Sequence, residues 1–132
     1  MANVVAKSDS PDPQIINLSE CVSFITKDGS QIRELLSHRN SLVRNQSLAE
    51  ATIAPGCTTE SHYHKVTEEI YFIMSGTGLM TIGDSSKRVR PGDAIPILPG
   101  EVHCIQNDGE EELKLLCCCS PAYEHSDTYM VL

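Results

Sequence analysis

The feature that most constrains this chain is the rhythm of its turns. Between Ser47 and Ser120 short apolar runs alternate with Gly, Pro, Asn and Asp. SLAEATI stops at Pro55-Gly56, EIYFIMS at Gly76, LMTIG at Asp84-Ser85-Ser86 and KRVR at Pro91-Gly92. AIPIL then stops at Pro99-Gly100, VHCIQ at Asn107-Asp108-Gly109 and ELKLLCCC at Ser120-Pro121. No long helical period runs through these segments. Strands about 8–12 residues apart, each ended by turn chemistry, indicate an all-β sandwich or barrel. Upstream, CVSFITKDGSQIRELLS reads as a short strand, a turn at Asp28-Gly29 and a second short element. Its SQIRELL portion fits either a strand or a brief helix capped by Ser30. At 132 residues the chain is long enough for one domain with a real core. The expected organisation is a mobile polar lead over residues 1–14 and a single domain over residues 15–132.

Charge and cysteine usage narrow the function classes. Eighteen acidic residues against ten Lys and Arg give a formal net charge of -8. That argues against a nucleic-acid or anionic-membrane partner, both of which require clustered positive charge. The basic cluster of Lys87, Arg88 and Arg90 reads as a solvated strand face. No apolar stretch has the length needed to span a bilayer, and MANVVAKSDSPDPQ lacks the apolar core of a secretory signal. The expected location is the cytoplasm. Of six cysteines, Cys117, Cys118 and Cys119 are consecutive, and neighbours on a strand point to opposite faces. Neither a disulfide framework nor a paired-CxxC zinc cluster fits, leaving small buried residues in a reducing compartment.

The stretch SHYHKVTEEIYFIMSGTG concentrates the chemistry. His62 and His64 are two apart, which on a helix would separate them by about 200°. On an extended segment they point the same way, so they can share one cation. Neutral imidazole suits zinc, manganese, iron, cobalt, nickel or copper. Of the two acids that follow, Glu69 shares a strand face with Tyr71 and Ile73, whereas Glu68 shares the other with Ile70, Phe72 and Met74. Glu69 is the better ligand and Glu68 a rim residue, although the intervening turn keeps parity alone from deciding. His103, just past Pro99-Gly100, is the natural fourth ligand in a barrel. Cys104 then points away from the ion.

These residues carry a resemblance to the cupin superfamily, whose fold is the small double-stranded β-helix or jelly-roll barrel. Its first motif, G-x5-H-x-H-x3,4-E-x6-G, is matched by Gly56, His62, His64, Glu69 and Gly76. Its second, G-x5-P-x-G-x2-H-x3-N, is matched by Gly92, Gly100, His103 and Asn107, with Leu98 at the proline position and Pro99 one place later. Two gapped motifs in order are more specific than either alone, and they cover a motif core of residues 45–120. The resemblance implies that His62, His64, Glu69 and His103 bind one divalent metal ion, with the glycines at turns and Asn107 in a structural role.

Three imidazoles and one carboxylate leave such an ion with net positive charge and open positions. The expected function is a metal-dependent enzyme acting on a small oxygen-rich molecule, of dioxygenase, isomerase or decarboxylase/lyase type. Iron, manganese, nickel and zinc all remain open. The alternative is a non-catalytic module that binds or senses a small, sugar-like molecule. Glu69 and Tyr71 are the catalytic candidates, Tyr71 as a hydroxyl donor to bound substrate or simply a strand tyrosine. Phe24, Ile53, Met80, Ile95, Ile97, Ile105 and Leu115 are expected to line the barrel. Lys114 faces outward, so Leu113, Leu115, Cys117 and Cys119 face inward. Glu50 and Glu60 read as exposed carboxylates with a small claim to acid–base work, and His38 and His125 as surface residues. Tyr123, Glu124, His125 and Asp127 form a polar cluster that could cap the barrel mouth. The short run after them could be an edge strand or cross to a second subunit. Few cationic residues lie near the motifs, which disfavours heavily phosphorylated substrates, with Lys65 the exception. The apolar parity of Ile70, Phe72 and Met74 leaves a second hydrophobic face needing cover, by the other sheet or by a partner. The resemblance to barrels that pair through an outer sheet face implies a homodimer.

Overall fold

The protein is described by a computed structural model over residues 12–132. Most of the expected mobile lead, residues 1–14, therefore lies outside the described residues. Eleven strands follow in order: β1 (Phe24–Ile25), β2 (Gln31–Leu36), β3 (Ser47–Ile53), β4 (His62–His64), β5 (Glu68–Ser75), β6 (Gly78–Ile82), β7 (Ser85–Val89), β8 (Ala94–Ile97), β9 (His103–Gln106), β10 (Leu113–Ser120) and β11 (Thr128–Met130). Each is short because a turn residue interrupts it, as at Gly83-Asp84 between β6 and β7. That turn is tighter than expected, since Ser85 and Ser86 already pair with Ile82 and Thr81.

The strands form two antiparallel sheets, one of six strands in the order β1-β2-β3-β10-β5-β8 and one of five in the order β11-β4-β9-β6-β7. This is the all-β architecture expected from the turn rhythm. QIRELL is a strand, not a helix. It pairs with β3 from Gln31↔Thr52 to Leu36↔Leu48, so the neighbouring strand satisfies its backbone. Ser30 caps no helix and instead donates its hydroxyl to Asp28 Oδ1.

Alternation decides what each strand buries. On β5, Glu69, Tyr71 and Ile73 are buried, while Glu68, Ile70, Phe72 and Met74 are exposed. On β10, Leu113, Leu115, Cys117 and Cys119 are buried and Lys114 is not. Register stacks the inward residues into rungs. Cys119 pairs with Ser47 and Glu69, Cys117 with Ala49 and Tyr71, Leu115 with Ala51 and Ile73, and Leu113 with Ile53. The lower rungs merge with Met80, Val89, Ile97 and Ile105 into the hydrophobic core, where each large aliphatic residue contributes roughly 1.5–3 kcal/mol on burial. Ile95 packs partly buried against that core. Phe24 lines the interior cavity as expected but is also 39% exposed, because the two-residue β1 sits at the sheet edge with no strand beyond it.

Gly76 is where the fold demands glycine. Its φ is +80°, and a Cβ there would lie 2.6 Å from the Glu112 carbonyl oxygen and 2.9 Å from Leu113 Cα. The chain turns from β5 to β6 in direct contact with the start of β10. The tail does not leave the subunit: β11 is an edge strand paired with β4 through Thr128↔His64 and Met130↔His62. Among the described residues, no helix is long and apolar enough to cross a membrane.

Candidate metal centre

β4 exists because His62 and His64 turn inward while Tyr63 turns outward, where it stacks on Tyr129 with ring centroids 5.3 Å apart. β4 lies between β11 and β9, and the β9 pairing sets His62 opposite His103. All three histidines are buried, and their potential ligand atoms lie within 4.8 Å of one another. Cys104 follows on β9 but turns to the other face, half-buried.

The outer nitrogens of these rings are held by backbone. His62 Nδ1 lies 2.9 Å from the Glu60 carbonyl oxygen and His103 Nδ1 2.9 Å from that of Glu101. His64 Nδ1 is 3.3 Å from both the Asp127 carbonyl oxygen and Thr128 Oγ1. A carbonyl can only accept, so Nδ1–H donates and each Nε2 is left with its lone pair facing the barrel interior. Metal-binding imidazoles require this tautomer.

Glu69 approaches from the opposite sheet. Its Oε1 lies 3.3 Å from His64 Nε2 and 3.5 Å from His103 Nε2, while Oε2 accepts from the Cys119 thiol at 3.4 Å. Burial pushes the Glu69 carboxyl up, but His103 and His64 outweigh it and bring it down to about 2. Burial likewise pushes His64 down, and the facing carboxylate more than reverses it, so His64 is raised. For His62, burial together with nearby His103 lowers it, and the Asp28 carboxylate at 3.9 Å does not reverse this. Glu69 Oε1 and His103 Nε2 are both buried without a hydrogen-bond partner. An orphaned buried polar atom costs about 1–3 kcal/mol. A divalent ion bound by this donor set would satisfy both, so the residues fit a metal.

A cavity extends from the centre toward β1, β2 and β3. Its walls include Asp28, Ser30, Ile32, Ser47, Ala49, Tyr71, Cys117 and Tyr123, and its lining contains no Lys or Arg. The cavity has a volume of about 50 Å³. Tyr71 lies fully inside, its ring centroid 6.0 Å from that of His103. Burial and then the charge of Glu69 push its hydroxyl well up, so it holds its proton. Cys117 and Cys119 are also raised, by burial first and Glu69 second, and remain thiols.

The other expectations divide. Glu68 is exposed at the rim and Glu60 is exposed. Glu50 is buried, contrary to expectation, because it points away from the cavity beside Arg33, 3.8 Å away. Asn107 is fully buried, donating to the Ile53 and Glu111 carbonyls and accepting from Gly109 N–H. His38 and His125 are at the surface. Lys65 sits over the Tyr129 ring, 4.8 Å from its centroid, outside the cavity. Of the tail cluster, Tyr123 lines the cavity, and the Asp127 carboxylate accepts from the backbone N–H groups of Lys65, Val66 and Thr67. Glu124 instead pairs with Arg39 and His38 on the surface. Sequence reading missed Asp28, which looked like half of a turn and also faces the histidines.

Known proteins are similar to this chain in sequence and fold. The family described as Cupin domain matches residues 49–119. The protein MJ1618 of Methanocaldococcus jannaschii is 49% identical over 105 residues, covering 80% of this chain and 84% of that one. A predicted oxalate decarboxylase from Thermotoga maritima superposes with a TM-score of 0.72 at 24% identity, covering 82% of this chain and 99% of that one. The polyketide cyclase RemF from Streptomyces resistomycificus superposes with a TM-score of 0.78 at 19% identity, covering 91% and 86%. Those two share the double-stranded β-helix with it. Sequence match and fold together make this chain a member of the cupin domain family.

Proposed function

We propose that this protein is a metal-dependent cupin enzyme acting on a small oxygen-rich molecule, with His62, His64, Glu69 and His103 holding one divalent ion of iron, manganese, nickel or zinc. The observation that carries this reading is the set of three buried imidazoles. Each Nδ1–H is tied back to a carbonyl; His62 and His64 line a cavity with Glu69, and His103 Nε2 lies 3.5 Å from Glu69 Oε1. A closed structural site would have no adjoining cavity. When bound, the ion supplies Lewis-acid or redox chemistry.

The chain's own residues do the rest. Glu69, held by the Cys119 thiol on Oε2, keeps Oε1 directed at His64 and His103. Tyr71, protonated and one rung deeper, donates its hydroxyl to a substrate oxygen. Ile32, Ala51, Ile105 and Leu115 exclude water around the reacting atoms. The small cavity limits the reacting portion of the substrate to a few non-hydrogen atoms. Its lack of cationic lining disfavours phosphorylated substrates. Decarboxylation or lysis, isomerisation and dioxygenation all use this geometry, and the T. maritima and S. resistomycificus proteins carry names from the decarboxylase and cyclase classes.

The test is elemental analysis of untagged protein, wild type and His64→Ala, followed by turnover assays on the loaded protein. About one equivalent of metal, lost in the variant, is the expected result. Metal in neither protein after reconstitution overturns the reading. Metal with tight ligand binding and no turnover leaves a sugar-like binding or sensing module.

Residues 15–132 are proposed to act as one domain in the cytoplasm, where the six free thiols suit a reducing compartment. A homodimer is proposed through the outer face of the six-stranded sheet. There Ile70, Phe72 and Met74, exposed at 45%, 39% and 51%, adjoin Pro96, Ala94, Leu116 and Cys118 by register. Sedimentation of Phe72→Glu should give a monomer where wild type is a dimer; a monomeric wild type removes the proposal.

A further inference from the structure

Among the described residues, Asp28 is the one carboxylate facing the histidines that belongs to neither motif. It is 9% exposed, and its two oxygens are used differently. Oδ1 accepts from Ser30 N–H at 2.9 Å, Ser30 Oγ at 2.6 Å and Thr26 Oγ1 at 2.7 Å. Oδ2 has no such partner among the described residues and lies 3.9 Å from His62 Nε2, across the cavity wall.

The backbone carrying Asp28 is fixed to the metal-site strands. Its carbonyl accepts from Glu60 N–H at 2.8 Å, two residues before His62. The adjacent Lys27 ammonium donates to the carbonyls of His125 and Thr128 at 2.8 and 3.2 Å. Gly29, at φ +89°, makes the tight reversal that turns Asp28 inward. A residue needed only for turn chemistry would leave its second oxygen in water. This one is held by four hydrogen bonds, with its second oxygen aimed into the site.

Asp28 changes the charge of the centre. A divalent ion with neutral imidazoles and Glu69 carries one net positive charge, and Asp28 cancels it. Glu34, also in the lining, adds nothing, because Arg39 pairs with both its oxygens at 3.0 and 3.2 Å. The cavity therefore offers a dianion no net attraction, and offers a hydroxyl group an acceptor at Oδ2.

We propose that Asp28 is a ligand-facing carboxylate that selects a small hydroxy compound with at most one negative charge over a dicarboxylate of the same size. This rests on the metal-site reading above. Oxalate and glycolate test it, since both present two chelating oxygens and differ by a carboxylate against a CH2OH. Their affinities for the Mn2+-loaded full-length protein are measured by titration calorimetry, for wild type, Asp28→Asn and the charge-conserving Asp28→Glu.

The expected result is a rise of at least about tenfold in the oxalate-to-glycolate affinity ratio in Asp28→Asn, with Asp28→Glu close to wild type and Mn2+ affinity unchanged. An unchanged ratio in a folded, Mn2+-loaded Asp28→Asn protein overturns the proposal and leaves the metal site standing. Loss of Mn2+ in that variant alone also overturns it, by making Asp28 a ligand of the ion. Failure of wild type to bind Mn2+ removes both readings.

Discussion

The two ends of this barrel are built by one alternation and do opposite work. Along β5 the inward positions run Glu69, Tyr71, Ile73; along β10 Cys119, Cys117, Leu115, Leu113; along β3 Ser47, Ala49, Ala51, Ile53. Register aligns the three rows, so polar and small side chains gather at one end and large aliphatic ones at the other. At the aliphatic end Ile73 and Leu113 are fully buried and Gly76 presses against the start of β10. At the polar end the small residues leave a cavity, and two buried polar atoms go without partners. Stability is concentrated in one half of each strand and chemistry in the other. A site that holds orphaned acceptors and empty space needs a rigid support, and here it is only two rungs away.

Substitutions that hit one end and spare the other test that division. Leu113→Ala removes a side chain with no exposed surface from the aliphatic end. Unfolding by urea should show a loss of about 3–5 kcal/mol, with metal content per folded molecule unchanged. His64→Ala should do the reverse. Metal binding fails, while the metal-free protein loses only about 1–2 kcal/mol, because the ring removed borders a cavity and not the packed aliphatic core. Coincident loss of both properties in either variant would show that the two ends form one unit.

The same contrast explains how much could be read from the sequence. The inward rows were legible because strand parity is local: placing Glu69 inward fixes Tyr71 and Ile73 as well. The histidines were legible because two gapped motifs tie them to turns at Gly56, Gly76, Gly92 and Gly100, all of which have positive φ. What was not legible depends on how distant segments close over the open end. Asp28-Gly29 has local turn chemistry that accounts for it in the sequence, and only long-range contacts, from Glu60 N–H to Asp28 and from Lys27 to the tail carbonyls, show that the hairpin covers the site. Glu50 looked exposed because its burial comes from neighbouring strands on the outer face. Phe24 does line the cavity, but its partial exposure was not legible because its strand's position at the sheet edge is a property of topology. QIRELL was ambiguous because its pattern is imperfect for either period, and pairing with β3 decided it.

The smallest effect is expected where the open end is tied to the tail. Asp127 accepts from Lys65, Val66 and Thr67 N–H at 3.0–3.2 Å, closing the turn between β4 and β5. Its own carbonyl faces His64 Nδ1. Partial burial raises the Asp127 carboxyl, but the three backbone donors outweigh it and hold it below its ordinary 3.8. A carboxyl lowered in the folded state stabilises the fold above its unfolded value, and that contribution is lost as the pH falls through the folded one. Asp127→Asn should therefore cost about 1 kcal/mol at pH 7, measured as a shift in the urea midpoint. The difference from wild type should persist to pH 5 and narrow only below the ordinary aspartate value, where the wild-type group takes up its proton. A difference that is constant down to acid unfolding would assign the effect to the shape of the amide and not to charge. The polar end would then be held by fit alone, like the aliphatic one.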